Sequence, residues 1–351
     1  MKKILMIPSF SMRSYTRDKW LLSRDAHATQ AMAMARHLIT NYAVDVIVPL
    51  NNDLESHMFA GCKLLKVDDY GKNVAGARLM TGWRSWLSYD EYDFIFCGHP
   101  EYVEYLRERY PKANIATILT HGPMAKVDYL KSLEKAFDQA DTIFYNFARS
   151  LLPEDFRAQH IHKLFPLYAY ADADRIQQKR PLKDVGSILF LSRLTDKDRF
   201  DTCFWMSQLG RLAEKHRVTL TDPSEGSPYD VPGTRIEVQQ TKERYFHTLE
   251  KTETVIIPYS IELTISVSYF EALAMGCKVL TQRCARHFRD LNTSYSLNTL
   301  ETSHTIDEKL AMPYTDAPLL WAESQRLYID QAWTQRFAQD FIERRPHVNS
   351  N

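Results

Sequence analysis

The chain has 351 residues, room for two domains, and its 44% hydrophobic and 25% charged content is that of an ordinary globular protein. Lys plus Arg and Asp plus Glu number 44 each, so no global field draws it onto nucleic acid or anionic membrane, although a local basic cleft is compatible with that balance. Five cysteines without CxxC spacing point to reduced thiols, the amino-terminal apolar run is too short for a signal peptide, and no segment approaches the roughly 20 apolar residues of a membrane span. A soluble intracellular protein is expected.

Strands and helices alternate from the start. Lys3 to Ile7 reads as a strand. Ala28, Ala31, Met32, Ala35, Leu38 and Ile39 mark one helix face, and Val44 to Val48 is an apolar run suited to burial on both faces of a sheet. Leu64 to Val67, Phe94 to Cys97, Ala116 to Leu119 and Thr142 to Tyr145 continue the strands, with helices predicted over Glu101 to Tyr110 and Tyr129 to Ala140. The alternation predicts a parallel sheet covered by helices. The polar stretch Ala171 to Asp184 reads as an interdomain linker.

A second series follows: strand Ser187 to Leu191, helix Phe200 to His216, strand Val218 to Leu220, a Pro- and Gly-containing loop from Asp222 to Gly233, helix Lys242 to Lys251 and strand Thr254 to Pro258. Next comes the most informative stretch, Thr264-Ile-Ser-Val-Ser-Tyr-Phe-Glu-Ala-Leu-Ala-Met-Gly-Cys-Lys-Val-Leu280. Ile265, Phe270, Leu273 and Ala274 recur at helical spacing, Gly276 is a natural C-cap, and a strand resumes at Lys278. Glu271 then sits in a helix that starts at the carboxyl end of a strand, where open α/β sheets bind ligands and helix N-termini favour phosphate. A carboxylate one or two turns in can accept the hydroxyls of a ribose; a buried crossover with a surface Glu gives the same spacing. Ala317 to Arg345 reads as one or two amphipathic helices. The expected domains are 1–170, 186–315, and a tail over 316–351 that packs back on the first.

The first strand is followed by Pro8-Ser-Phe-Ser-Met-Arg13 rather than a Gly-rich turn, and the chain has only 11 glycines. A dinucleotide fingerprint and a P-loop are both absent, which counts against dehydrogenase and kinase readings. A long polar loop from Ser9 to Arg24 stands in their place.

Five short motifs, in order, carry a resemblance: Lys2 to Ile7, Ile118-Leu-Thr-His121, Phe165-Pro-Leu167, Leu191-Ser-Arg-Leu-Thr-Asp-Lys-Asp-Arg199, and Thr264 to Met275. With them the chain resembles the GT-B glycosyltransferases, and within that class it is similar to the DNA β-glucosyltransferases of T-even phages. The resemblance implies two Rossmann-like domains facing across a cleft, a first domain for the acceptor and a second for a nucleotide-sugar, most simply a UDP-sugar. It implies no obligatory cofactor; a divalent cation is compatible but no residue pattern asks for one. A monomer is expected, in the cytoplasm, that of the host if the chain is phage-encoded.

Within that frame His121, at a strand end and followed by Gly122-Pro123, stands where the family has its catalytic carboxylate. Histidine accepts a hydroxyl proton near neutral pH. His99, in Cys-Gly-His-Pro100, has a similar edge position and is a candidate for sugar or acceptor. Arg193 and Arg199, with Lys197 as a lesser candidate, suit a leaving diphosphate. Glu271 is the candidate for the ribose, and Thr264, Ser266 and Ser268 either donate to phosphate or cap the helix. Ser268 replaces an Arg of the resembling family. Retaining members of the class carry two glutamates eight positions apart; here that position is Leu263, and Glu262 misses the register by one, which favours inversion.

Arg13, Arg17, Lys19 and Arg24 stand beside Tyr15 and Trp20, and Arg283, Arg286 and Arg289 recur at spacing three beside His287. Cations among aromatics suit a phosphate backbone and an extruded base, so a 5-hydroxymethylated pyrimidine in double-stranded DNA is the favoured acceptor. A cell-surface polysaccharide or lipid-linked acceptor is the alternative. A non-catalytic nucleotide or sugar binder would hold UDP without transfer, and an epimerase of the same architecture would turn over the donor with no acceptor present.

Overall fold

In the computed structural model the described residues are 1–7, 34–49, 61–67, 91–119, 127–145, 149, 152–167, 182–191, 202–222, 233–238, 242–257, 267–282, 296–297, 303–311 and 330–343. They form two compact units, Met1–Tyr168 with Asp330–Asn351, and Ala169–Ile329.

The first unit holds β1 (Lys3–Ile7), β2 (Ala43–Pro49), β3 (Lys63–Val67), β4 (Phe94–Cys97), β5 (Asn114–Leu119), β6 (Thr142–Tyr145) and β7 (Leu164–Pro166). They make one seven-stranded parallel sheet in the order β3-β2-β1-β4-β5-β6-β7. Ile4, Leu5, Met6 and Ile7 are all fully buried, as are Ile95 and Cys97. Continuous apolar runs of this kind are what a strand covered on both faces requires. The helices are α1 (Val103–Arg109), preceded by a single 3₁₀ turn at Pro100–Tyr102, α2 (Val127–Ser132), α3 (Glu134–Gln139) and α4 (Glu154–His160).

Two corrections to the sequence reading fall here. The helix expected over Tyr129 to Ala140 is two helices, because Leu133 leaves helical geometry (φ −118°, ψ 14°) and starts a second one. α4 was not anticipated, although Pro153 followed by Glu154 and Asp155 is a helix-start signal, with acidic groups at the positive end of the dipole.

The carboxyl end of α3 is closed by side chains. Lys163 Nζ donates to the carbonyls of Phe137, Asp138 and Ala140 at 2.6, 3.0 and 3.1 Å, and Arg107 donates to that of Gln139 through Nε and Nη2 at 3.2 and 2.9 Å. The four last carbonyls, otherwise orphaned, are thereby paired, by cations that also complement the dipole. His160 is 1% exposed and packs on Phe156 at 4.5 Å. Burial, then the Lys163 charge, pushes its pKa down from 6.5 to about 4.

A pH dependence follows from His160. Below its ordinary pKa the unfolded chain protonates this imidazole while the folded chain does not. Its contribution is therefore complete above about pH 6.5 and is lost as pH falls toward 4, by roughly 1–3 kcal/mol. Denaturation of wild type and His160→Gln from pH 7 to 4.5 checks this; parallel curves contradict it.

At the amino edge of the same sheet Asp45, 3% exposed, accepts from the Tyr92 hydroxyl at 2.6 Å and pairs with Lys3 at 3.4 Å. Burial, then the charge of Asp45, pushes the Cys62 thiol up to about 12.

The second unit holds β8 (Asp184–Phe190), β9 (Arg217–Asp222), β10 (Arg235–Val238), β11 (Thr252–Ile257), β12 (Lys278–Gln282) and β13 (Ser296–Leu297). They form a six-stranded parallel sheet in the order β10-β9-β8-β11-β12-β13. β8 begins at Asp184, inside the stretch read as linker, and β10 and β13 are short strands the sequence reading passed over. Its helices are α5 (Thr202–Ala213), α6 (Lys242–Lys251), α7 (Val267–Ala274) and α8 (Ser303–Ala311). Trp205, Leu209 and Leu212 of α5 and Ile306 of α8 share one core with Ile188, Phe190, Val218, Leu220, Ile256 and Leu280. Lys183 Nζ donates to the Leu249 carbonyl near the end of α6 (2.9 Å), and Lys278 Nζ to the Leu310 carbonyl near the end of α8 (3.0 Å).

The chain returns to the first unit with α9 (Asp330–Phe337) and a π-helical turn at Ala338–Ile342. Phe337 meets the rings of Phe94, Phe96 and Phe144 at 6.0, 6.1 and 5.6 Å, and stacks on Trp333 at 5.3 Å. Among the described residues no helix is long and apolar enough to cross a membrane.

Candidate functional site

In an open parallel sheet the ligand crevice lies outside the carboxyl ends of the strands, where the strand order reverses. Each unit has one such point, between β1 and β4 and between β8 and β11.

In the first unit, the N–H of Gly98 donates to the Ile7 carbonyl at 2.7 Å, tying the exit of β4 to the end of β1 at this point. His99 comes next. Its carbonyl accepts from the Cys97 thiol and the Tyr102 N–H, both at 3.0 Å, and its ring lies edge-on to that of Tyr102 at 5.4 Å. The Tyr129 hydroxyl of α2 donates to Glu101 Oε1 at 3.0 Å. Burial raises the pKa of Tyr102 and Tyr129, with the Glu101 charge adding to both. His99, read from sequence as an edge residue, is thus placed at the switch point and backed by an aromatic. His121, Arg13, Arg17 and Lys19 lie outside the described residues.

In the second unit α7 leaves the carboxyl edge of β11 and presents Ser268 and Glu271 one turn apart, on one face. It ends in a Schellman motif: Gly276 has φ +70°, its N–H donates to the Leu273 carbonyl and that of Cys277 to the Ala272 carbonyl, both at 2.9 Å. Glu271 is 3% exposed. The hydroxyl of Tyr245, in the first turn of α6, is buried within reach of the Glu271 charge. Burial first, then the charge of Glu271, raises the tyrosine pKa well above its ordinary value.

Tyr245 was missed by sequence reasoning. Its helix pattern alone marks it as one more aromatic, and the carboxylate whose charge acts on it stands on a different helix. Arg193, Lys197, Arg199, Glu262, Thr264, Ser266, Arg283 and Arg286 lie outside the described residues. Among the described residues no group of three or more His, Cys, Asp or Glu side chains is placed to hold a metal ion.

No family model matches the sequence, and no curated protein matches it significantly. Solved structures do match. Sucrose-phosphate synthase from Thermosynechococcus elongatus superposes with a TM-score of 0.64 at 11% identity, over 98% of this chain and 99% of that one. Anabaena HepE in complex with UDP and glucose gives 0.65 at 10% identity, over 98% and 100%. The catalytic domain of starch synthase IV from Arabidopsis thaliana, bound to ADP and acarbose, gives 0.64 at 8% identity, over 97% and 99%. With both chains covered almost end to end, the fold is that of the GT-B glycosyltransferases.

Proposed function

We propose that the protein is a glycosyltransferase that moves a sugar from a nucleotide-sugar, a UDP-sugar in the first instance, to a hydroxyl acceptor. The observation that carries this reading is Glu271: a buried carboxylate in the helix leaving β11, beside the switch point of a parallel sheet in a GT-B chain. Such a group can take the two ribose hydroxyls of the donor. Arg193 and Arg199, in the segment after β8, supply charge for the leaving diphosphate. The structures of HepE with UDP and glucose and of starch synthase IV with ADP are those of proteins of this fold holding nucleotides.

Glu271→Ala should raise the UDP dissociation constant about tenfold or more, the loss of roughly 1.5–3 kcal/mol of charged hydrogen bonding. Calorimetric titration measures it, and unchanged affinity removes the support for the site.

For the acceptor we carry forward a 5-hydroxymethylated pyrimidine in double-stranded DNA. It rests on the sequence resemblance and on the cations and aromatics around Arg13, Arg17, Lys19, Arg283 and Arg286. Mass spectrometry of hydroxymethylated DNA incubated with a panel of nucleotide-sugars decides it. Transfer to a polysaccharide or lipid-linked acceptor instead would move the assignment there. UDP retained with neither transfer nor donor hydrolysis would leave a binding protein.

A further inference from the structure

Glu101 lies in the 3₁₀ turn just past the end of β4, and its Oε1 accepts from the Tyr129 hydroxyl of α2 at 3.0 Å. β4 and β5 are parallel neighbours and α2 follows β5. The bond therefore ties two successive connections that leave the carboxyl edge of one sheet. That edge is where open parallel sheets bind ligands, and His99, two residues before Glu101, stands there at the switch point with β1.

Other acidic side chains of these connections are neutralised by cations: Glu104 pairs with Lys135 at 2.9 Å, and Asp141 with Arg107. Glu101 differs. Among the described residues its hydrogen-bond partner is a neutral phenol, and no lysine, arginine or histidine forms an ion pair with it. It is half-buried, as is Tyr129. Burial first, with the Glu101 charge adding to it, raises the pKa of the Tyr102 and Tyr129 hydroxyls, so both stay protonated beside the carboxylate. A carboxylate withdrawn from water needs donors, and Tyr129 occupies one of its roughly four acceptor positions. The others suit uncharged donors such as the hydroxyls of a sugar. A phosphate or carboxylate brought to the same place meets like-charge repulsion.

We propose that Glu101, held by Tyr129, is a specificity-determining residue of the first unit that accepts the hydroxyls of an uncharged sugar beside the β1–β4 switch point. The choice of a sugar rests on the glycosyltransferase reading. The alternative is a strut, in which the Glu101–Tyr129 bond only joins two connections.

Glu101→Gln separates the two, because the amide oxygen still accepts from Tyr129 while the charge is gone. D-glucose titrated into the full chain with UDP present, and followed by saturation-transfer NMR, should bind Glu101→Gln about three- to tenfold more weakly than wild type. D-glucuronate, which carries a carboxylate on the same ring, should bind wild type more weakly than glucose does, and Glu101→Gln should narrow that gap. Tyr129→Phe, which leaves the carboxylate free to turn, should weaken glucose by a smaller factor. UDP affinity and Tm of Glu101→Gln should match wild type. Glucose bound equally by wild type and Glu101→Gln overturns the assignment, as does a glucuronate gap that the exchange leaves unchanged. Glucose binding lost only together with a lowered Tm shows the strut and overturns it too. If wild type binds UDP but not glucose, the Glu101 assignment alone falls. If it binds glucose through Glu101 but not UDP, the donor reading falls while Glu101 stands.

Discussion

Alanine in place of His121 is expected to lower turnover by about 10²–10⁴-fold, the usual contribution of a positioned base, with UDP affinity nearly intact. The expectation starts from the sheet. β4 and β5 pair in parallel with Cys97 opposite Thr117, so the segments leaving the two strands start from the same edge. One carries His99, at the switch point with β1; the other carries His121, two residues past Leu119. Direct displacement with inversion needs a proton acceptor for the attacking hydroxyl, and an imidazole serves near neutral pH. Activity should accordingly fall on acidification, because the protonated ring cannot accept. His99→Ala should act instead through the KM for sugar or acceptor. A His121→Ala enzyme with near-normal turnover, or a product that keeps the donor's anomeric configuration, would overturn the assignment and bring Glu262 back into consideration.

How far the fold was legible depended on burial. β1, β4 and β6 have the bounds read from sequence, because each is a buried apolar run, opened in β1 by Lys3 and in β6 by Thr142. The strands overlooked are short ones: β7, β13, and β10, whose Arg235-Ile-Glu-Val carries charge at every second position. β10 and β7 lie at sheet edges, where burial imposes no such pattern. The site divides in the same way. Ser268 and Glu271 were legible because helical spacing alone puts them on one face. Tyr245 was not, since the Glu271 charge that acts on it comes from a different helix. Also unreadable was the use of lysine at the amino edges of the strands. Lys163, Lys183 and Lys278, each directly before or opening a strand, close the carboxyl ends of α3, α6 and α8. In sequence they count as ordinary charge. In the fold they satisfy carbonyls at the amino edge of the strands, opposite the carboxyl edge where open parallel sheets bind ligands.

The carboxyl-terminal segment should matter most to stability. Deleting residues 330–351 is expected to unfold the first unit while leaving UDP binding by the second. α9 and its π turn place Phe337 and Phe341 among aromatic rings of the sheet: Phe341 meets Phe144 at 4.7 Å and Phe165 at 5.3 Å, beside the Phe337 contacts with Phe94, Phe96 and Phe144. Phe337 is 3% exposed. Polar contacts fix the end of the segment. Lys2 Nζ donates to the Ile342 carbonyl at 2.7 Å, Asn114 Nδ2 to that of Phe341 at 3.2 Å, and the Tyr42 hydroxyl to Glu343 at 2.6 Å. Truncating one buried Phe costs about 3–5 kcal/mol, and a whole domain is stable by only about 5–15. Losing both phenylalanines with Trp333 therefore exceeds what the first unit can spare, whereas Phe337→Ala alone should lower its stability by about 3–5 kcal/mol. Hydrogen exchange reads the two units separately. Protection should vanish in β1, β4 and β5 of the truncated chain and persist in β8 and β11, with UDP still bound and sugar transfer lost. A truncated protein that keeps full protection in β1 and β4 would show that the aromatic face is not what holds the first unit together.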